Sequence, residues 1–411
     1  MTPNTDQSVV IIGAGHAGSS VAALLRQSGH TGHLTMVGDE QHLPYHRPPL
    51  SKKFDGPTVQ QPLRPAEFYA DNRIDLRTQS RAVAIRTADT TVVLADGTEI
   101  AYDTLVLATG STPRPLPGTP EGTSSVVTLR TIDDADALNQ SLGRGGDLAI
   151  VGGGYVGMEV AAVARSRDIR VTVIEREDRI LARVASPELS TMLTDYHRER
   201  GTTVLTGRSV ARLVADGADV TGVELDDGTV VGCRTVLVGI GAAPDEQLPR
   251  SAELEYDDGV ITDEDGRTSD PHIFAIGDVA RRPVKNHHGL RRLESIPAAT
   301  EHAKRAAAAI LGQEPDDHEV PWFWSDQFDL KLKIAGLTTP DARIITRRTP
   351  GKNAVAFYHV QPAGNVVAVE AVSAPSDFST GKKLISNGSR VDVEALADPT
   401  IKLRDIVAQA G

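Results

Sequence analysis

The chain contains a single cysteine, Cys233, among its 411 residues. One cysteine excludes an internal disulfide and any redox centre built from paired thiols. Because Cys233 lies next to a strand-like segment, we interpret it as a packing residue. Long apolar runs are also absent: segments such as 306–311 and 366–369 are far shorter than the roughly 20 residues of a transmembrane helix.

Positive charge is scarce, with 43 Lys and Arg against 55 Asp and Glu and a formal net charge of −12. This balance argues against nucleic acid or an anionic membrane as the main partner. The first residues lack a signal-peptide pattern. We therefore expect a soluble, cytoplasmic protein of two or three domains.

What the chain does contain is a glycine motif that occurs twice, each time after a short apolar run. The G-x-G-x-x-G glycines are Gly13, Gly15 and Gly18 in the first glycine loop, and Gly152, Gly154 and Gly157 in the second glycine loop. In such a loop the first glycine tolerates positive φ, the second admits a pyrophosphate, and the third lets the helix pack closely. Amides of the first helical turn then face the phosphates. The sequence predicts two dinucleotide sites.

An acidic residue follows each loop at the end of the next apolar strand: Asp39 in the first copy and Glu175 in the second. Such an acid accepts hydrogen bonds from ribose hydroxyls. A carboxylate repels a 2′-phosphate, so Glu175 predicts NADH over NADPH. Arg176 and Arg179 follow closely; they either soften this preference or are exposed charges.

The repetition extends beyond the glycines. Each copy continues into alternating strands with a hairpin signal, Asp96-Gly97 or Asp227-Gly228, and then a returning apolar strand. A further strand-like run, 272–278, ends in Asp278, which is placed either for a polyol ligand or for an Asx turn. A helix is predicted over 294–311.

The last segment, 320–411, has no nucleotide motif and holds both tryptophans, so we predict a separate α+β domain there. The predicted fold class is α/β, with two Rossmann-like dinucleotide-binding domains and this C-terminal α+β domain.

With these features, the chain resembles the NADH-dependent ferredoxin reductases of bacterial oxygenase systems, within the glutathione-reductase-like flavoproteins that bind two dinucleotides. The resemblance runs nearly from end to end. Besides the two glycine loops, it is carried by Gly38-Asp39-Glu40, Arg47 to Lys52, Leu107 to Gly110, Leu129-Arg130-Thr131, Thr268 to Pro271, Gly277-Asp278, Leu293-Glu294-Ser295 and Pro321 to Gln327.

The resemblance implies FAD in a discontinuous domain, 1–113 with 243–319, NADH in a domain 114–242, and an interface domain 320–411. It assigns FAD contacts to Gly13, Gly15, Gly18, Asp39, Lys52, Val83, Arg130, Asp278 and Ile296, and NADH contacts to Gly152, Gly154, Gly157, Glu175 and Gly241. Relatives commonly carry Asn where this chain has Ala298. No metal site is expected, because adjacent His287 and His288 have no further ligand nearby.

Three residues are candidates for catalysis. The resemblance implies that Lys52 pairs with Glu159 beside the flavin and orients it for hydride acceptance from NADH; alternatively, Glu159 is stabilised by the dipole of its helix. The resemblance also implies that Trp324 covers the flavin, whereas ordinary core packing is the alternative.

The segment 42–52 contains no cysteine, which excludes the disulfide-reductase and peroxidase branches. Electrons must then leave singly. We expect a [2Fe–2S] ferredoxin as acceptor, feeding a cytochrome P450 or ring-hydroxylating oxygenase. Candidate docking residues are Lys304, Arg305, Lys331 and Lys333. The alternatives are a rubredoxin or other small carrier, or a redox sensor resembling apoptosis-inducing factor.

Overall fold

A computed structural model describes residues 5–53, 60–119, 122–217, 219–349, 351 and 353–406. The described residues form two compact units. The first takes in those within Met1–His46, Gln60–Thr112 and Ala242–Glu319, and the second those within Arg47–Val59, Pro113–Gly241 and Val320–Gly411. The three-domain division stays a prediction, and its outermost residues, 1–4 and 407–411, lie outside the described residues.

The first unit is built on a five-stranded parallel sheet whose central strand, Val9–Ile12, is fully buried. In spatial order its strands are Ile273–Ala275, Thr104–Leu107, Val9–Ile12, Leu34–Val37 and Asp75–Arg77. Each central strand is a continuous apolar run because both faces of the sheet are covered. The helices His16–Gln27 and Ile296–Ile310 share a core with one face.

The other face of this sheet packs against smaller elements. These are the antiparallel strands Ala82–Arg86, Thr91–Leu94 and Glu99–Ala101, and the helix Gln247–Ser251. The remaining elements of this part of the chain are the helix Ala66–Asp71, the 3-10 turn Gly277–Val279, and the strands Val260–Ile261, Ala280–Pro283 and Leu290–Arg292. Two short strands, Ser111–Pro113 and Ala242–Pro244, lie where the chain passes between units.

The second unit repeats the parallel sheet. Its strands, in spatial order, are Thr202–Thr206, Val171–Glu175, Leu148–Val151, Thr235–Val238 and Val126–Val127. Its helices and remaining strands up to Gly241 are Pro49–Lys52, Ile132–Gly143, Tyr155–Ser166, Pro187–Glu199, Val210–Asp216, Asp219–Leu225 and Val230–Gly232. In both sheets the first strand pairs with the second on one side and the returning strand on the other. This shared order confirms the predicted duplication and the α/β class.

The C-terminal part of the second unit is an antiparallel sheet flanked by helices, as the α+β prediction requires. In spatial order the strands are Trp322–Gln327, Leu330–Gly336, Val366–Val372, Val355–Val360 and Arg343–Arg348. Its helices are Pro375–Asn387 and Val393–Ala397, with a 3-10 turn at Leu403–Asp405. No helix in the described residues is both long and apolar enough to cross a bilayer.

Candidate active site

The glycines of the first glycine loop divide into two that packing requires and one that faces open space. Gly13 has φ +112°, and a Cβ there would lie 2.2 Å from the carbonyl oxygen of Ala108. A Cβ at Gly18 would lie 1.9 Å from the Gly13 oxygen, because the helix crosses the strand closely. At Gly15 a Cβ would meet nothing within 4 Å. Gly15 therefore leaves room for a ligand at the start of the helix.

The second glycine loop repeats this division. Gly152 has φ +107°, and its Cβ would lie 2.3 Å from the Gly239 oxygen; that of Gly157 would lie 2.5 Å from the Gly152 oxygen. Gly154, like Gly15, faces open space within 4 Å. In neither helix does a described side chain cap the first turn. Both loops thus offer backbone amides and a vacant approach for a pyrophosphate.

The two acids behind the loops differ in their surroundings. Asp39 is exposed and pairs with Arg81 at 3.3 Å. Glu175 turns back to its own loop, where it accepts hydrogen bonds from the amides of Gly153 at 2.6 Å and Glu177 at 2.8 Å. The carboxylate of Glu175 therefore lies against the second loop. That Asp39 and Glu175 bind ribose stays a prediction.

Asp278 lies in the 3-10 turn that follows Ile273–Ala275, an edge strand of the parallel sheet. The strand ends at Ala275 and is therefore shorter than the predicted 272–278. Ser111 Oγ donates to Asp278 Oδ2 at 3.2 Å. Buried His302 accepts a hydrogen bond from the Gly277 amide at its Nδ1, at 3.1 Å. Burial, with nearby Arg282, holds the pKa of His302 well below its ordinary value, so the ring is neutral.

The other residues assigned to FAD or NADH lie at the edges of elements. Ile296 is the first residue of its helix, which Ser295 caps by accepting from the Ala298 amide at 3.2 Å. Val83 is half-buried where a strand pairing shifts register. The carbonyl of Arg130 accepts from Arg47 Nη1 at 2.6 Å. Gly241 has φ +97°, in the region that favours glycine.

Lys52 and Glu159 form an ion pair within the second unit. Lys52 ends the short helix Pro49–Lys52, and Glu159 is buried in the helix that follows the second glycine loop. The Glu159 carboxylate also accepts hydrogen bonds from the hydroxyls of Ser51 and, at 2.6 Å, Ser325. The acid is therefore satisfied by three side-chain donors as well as its place in the helix. Its role in hydride transfer stays a prediction.

The pyridine nucleotide-disulphide oxidoreductase family model matches residues 7–303, and a reductase C-terminal model matches residues 322–407. The chain belongs to the pyridine nucleotide-disulphide oxidoreductase family. It is 42% identical to the probable ferredoxin reductase CtmF of Castellaniella defragrans, covering 97% of this chain and 98% of the relative. With putidaredoxin reductase CamA of Pseudomonas putida it shares 37% identity over 99% and 98% of the two chains.

Among solved structures, the reductase in the covalent putidaredoxin reductase–putidaredoxin complex superposes with a TM-score of 0.93. The two chains are 36% identical, and the match covers 98% of each. The family therefore includes ferredoxin reductases that match this chain over nearly its whole length. Its members bind FAD and NAD(H), and the two glycine loops described above fit these groups.

Trp324 lies on the strand Trp322–Gln327 at the edge of the C-terminal sheet. Its side chain is half-buried, with its ring centroid 5.7 Å from that of Trp322. A fully buried core position is therefore excluded. That Trp324 covers the flavin stays a prediction.

The expected basic docking residues separate into exposed and buried side chains. Lys331 is 68% exposed and lies 3.1 Å from Asp326; Lys304 is 41% exposed and lies 2.7 Å from Glu319. Lys333 is exposed, with its ammonium over the Phe378 ring. The prediction for Arg305 is wrong. Its guanidinium is buried and donates to Asp265 and to two backbone carbonyls, because this face of the helix packs inward.

Glu301, on the same helix, is also buried and is paired with Arg282. Cys233 is buried, and burial raises its thiol pKa to about 11, which keeps it protonated. Sequence reasoning did not single out Ser325, Gln327 or His197. In the structure Ser325 bonds to Glu159, Gln327 to Ser325 and His197 to Gln327. Along 322–327 three aromatic residues are followed by three polar ones, a pattern that does not show which polar side chains are buried.

Proposed function

We propose that this protein is an NADH-dependent ferredoxin reductase that passes single electrons to a [2Fe–2S] ferredoxin of an oxygenase system. The family, its cofactors and the oxidoreductase class follow from the end-to-end match to ferredoxin reductases. The observation that carries the proposal is the repeated glycine loop. Each copy has two glycines locked by packing and one facing open space, so one chain holds two dinucleotide sites.

FAD, when bound, supplies the exchange between a two-electron hydride and single electrons. The chain's own residues then have two tasks. Gly15 and the first turn of its helix bind the FAD pyrophosphate, and Asp278 holds the ribityl chain. Gly154 and Glu175 bind NADH, with the Glu175 carboxylate opposing a 2′-phosphate.

Lys52 and Glu159 are proposed to orient the reacting groups. The Glu159 carboxylate pairs with the Lys52 ammonium and so holds a positive charge in one position. A fixed charge that needs no reorganisation during reaction is the efficient form of electrostatic catalysis. Trp324 is proposed to shield the flavin at the surface that meets the acceptor.

Two observations support an external electron acceptor: the chain has no pair of thiols, and its relatives are reductases of small electron carriers. With one cysteine, and that one buried and protonated, no thiol relay is available to carry electrons onward. Electrons must pass to an external one-electron carrier. One relative is named a probable ferredoxin reductase and another putidaredoxin reductase, and a similar reductase is solved in a covalent complex with putidaredoxin. These names support a [2Fe–2S] ferredoxin as the carrier.

A panel of acceptors tests this proposal. With NADH as donor, the FAD-loaded protein is expected to reduce [2Fe–2S] ferredoxins faster than rubredoxin, and to use NADH with a higher kcat/KM than NADPH. Rubredoxin as the better acceptor would replace the ferredoxin assignment. A long-lived NADH complex without turnover would point instead to a redox sensor. A cytoplasmic location stays a prediction, which cell fractionation tests.

A further inference from the structure

A line of three buried side chains leads away from the Glu159 carboxylate. Ser325 Oγ donates to Glu159 Oε1 at 2.6 Å, and Gln327 Nε2 donates to Ser325 Oγ at 3.2 Å. His197 Nε2 lies 3.0 Å from Gln327 Oε1. Ser325, Gln327 and His197 are at most 1% exposed, so water does not compete for these bonds.

The amide of Gln327 fixes the direction of every bond in this line. Its nitrogen donates to Ser325, which leaves the one hydroxyl hydrogen of Ser325 for Glu159. Its oxygen accepts, so His197 must carry its hydrogen on Nε2. Burial lowers the pKa of His197 to about 4, which keeps the ring neutral and its Nδ1 free of a proton. All hydrogens therefore point from His197 toward Glu159.

Strand geometry explains why this line sits where it does. Successive side chains of a strand point to opposite faces, so Ser325 and Gln327 share one face of Trp322–Gln327 and Trp324 lies on the other. The polar face is buried against the helices that carry Glu159 and His197. One strand thus presents Trp324 and anchors Glu159.

A buried polar line of this kind is not needed for packing. Buried polar groups stabilise a fold only when fully paired, and apolar residues of the same shape serve as well. Here the line ends at His197 Nδ1, which has no hydrogen-bond partner among the described residues. The unpaired His197 Nδ1 lowers stability, but the line of side chains supplies one oriented hydrogen-bond donor to Glu159.

We propose that Ser325, Gln327 and His197 are positioning residues that hold the Glu159 carboxylate as a pure acceptor and so fix the Lys52 ammonium for hydride transfer. This inference rests on the proposed function, in which Lys52 serves the flavin. Three acceptor contacts then keep Glu159 in one rotamer: the pair with Lys52 and the hydrogen bonds from Ser51 and Ser325.

Two substitutions of Gln327 distinguish a role in directing hydrogen bonds from a role in packing. Gln327→Glu keeps the shape but offers only acceptor oxygens, so the Ser325 hydrogen is drawn away from Glu159. Gln327→Met removes the amide but leaves that hydrogen free for Glu159. Ser325→Ala removes the donor itself, and Ser325→Thr restores a hydroxyl.

Stopped-flow reduction of the FAD-loaded protein by NADH gives the first measurement. We expect the limiting rate to fall roughly tenfold in Gln327→Glu and Ser325→Ala, the size of one lost bond to a charged group, with NADH affinity within about twofold of wild type. Gln327→Met is expected to be intermediate between Gln327→Glu and wild type, because it removes the amide that fixes the bond direction but leaves the Ser325 hydrogen for Glu159. Ser325→Thr is expected to recover most of the rate lost in Ser325→Ala. A packing role predicts the reverse order at position 327, with the methionine variant slower, and that order would overturn the inference.

Selective acylation of lysine amines, read by mass spectrometry, gives a measurement independent of turnover. Lys52 is expected to label severalfold faster in Gln327→Glu and Ser325→Ala, because its carboxylate partner is no longer fixed. Lys304, paired with Glu319 in the other unit, is the internal control and should not change. Unchanged Lys52 labelling in both variants would contradict the inference.

Neither flavin reduction nor lysine labelling involves electron transfer to ferredoxin. The inference and the proposed function can therefore fail separately. If wild type is reduced by NADH but passes no electrons to ferredoxin, the proposed function fails while the variant order still decides the inference. If wild type reduces ferredoxin and the four variants match it, the inference fails and the function stands.

Discussion

The Ser325 hydroxyl lies 2.6 Å from Glu159 Oε1 and donates to it. This one contact joins the strand that carries Trp324 to the helix that begins at the second glycine loop. Since Lys52 binds the same carboxylate oxygen, the site that resemblance assigns to hydride transfer is tied to the C-terminal sheet. Glu159 is thus held both by Ser325 of the C-terminal sheet and by Ser51 and Lys52 of the helix Pro49–Lys52.

Glu159→Gln tests the ion pair itself. The amide keeps the shape but loses the charge that holds Lys52, so we expect the rate of flavin reduction by NADH to fall at least about tenfold. Stopped-flow spectroscopy measures it. Glu188→Gln is the control, since Glu188 is an exposed acid on the helix Pro187–Glu199. An unchanged rate in Glu159→Gln would remove the pair from the mechanism.

Alanine at the open glycines should separate the two cofactors. Gly15→Ala is expected to fold but to lose FAD, because its methyl group would occupy the space left for the pyrophosphate. Gly154→Ala should keep FAD and raise the KM for NADH. The bound flavin spectrum and steady-state kinetics measure these effects. Retention of FAD by Gly15→Ala with normal affinity would show that this loop does not bind it.

Gly18→Ala supplies the structural comparison. Its Cβ would lie 1.9 Å from a backbone oxygen, so the helix must move away from the strand. We expect poor folding, seen as loss of soluble protein or a lowered thermal midpoint, whether or not FAD is present. A stable Gly18→Ala protein would contradict the close helix–strand packing described here.

Lys331→Glu tests docking. Lys331 is exposed and belongs to the strand that pairs with Trp322–Gln327. If an acidic ferredoxin docks there, reversing the charge should lower its reduction rate severalfold at low salt and leave ferricyanide reduction unchanged. Lys285→Glu, at another exposed lysine, carries the same change in net charge. Equal losses with both acceptors, or in both variants, would exclude Lys331 from docking.

His197 predicts a pH dependence of stability. Its pKa is about 4 in the folded protein and near 6.5 in an unfolded chain. Below pH 6.5 the unfolded chain binds more protons than the folded protein. His197 therefore lowers the free energy of unfolding by up to about 3 kcal/mol as pH falls from 6.5 toward 4.

Thermal unfolding of wild type and His197→Gln between pH 7 and pH 5 measures this contribution. The variant should lose less stability over that interval, whereas His288→Gln, at an exposed histidine, should behave like wild type. An identical pH profile in wild type and His197→Gln would show that His197 is not held neutral by burial.

The features that could be predicted from the sequence are those that depend on local residue patterns. Apolar runs ending in spaced glycines locate the strands and both loops, because those backbone conformations admit few other residues. The α+β class of the segment 320–411 was predicted from its lack of a nucleotide motif, but the antiparallel order of its strands was not predicted. The pairing of Lys52 with Glu159 came from resemblance, because no spacing rule brings together residues so far apart in the chain.

The features that could not be predicted from the sequence depend on how helices and strands pack against each other. Arg305 looked like a surface charge because helical spacing alone does not tell which face of the helix is covered. In the structure its side chain is buried and donates to three acceptors, on Glu264, Asp265 and Asp316. Ser325, Gln327 and His197 come from a strand and a helix distant in sequence. Only the tertiary fold aligns them with Glu159.

In the proposed function, electrons from NADH leave this protein singly to a [2Fe–2S] ferredoxin. The most direct test is anaerobic mixing of the NADH-reduced, FAD-loaded protein with oxidised ferredoxin. We expect flavin absorbance to return as the ferredoxin is bleached, in a ratio of two ferredoxins per NADH. Flavin that stays reduced in the presence of every [2Fe–2S] ferredoxin, but is reoxidised by another carrier, would contradict it.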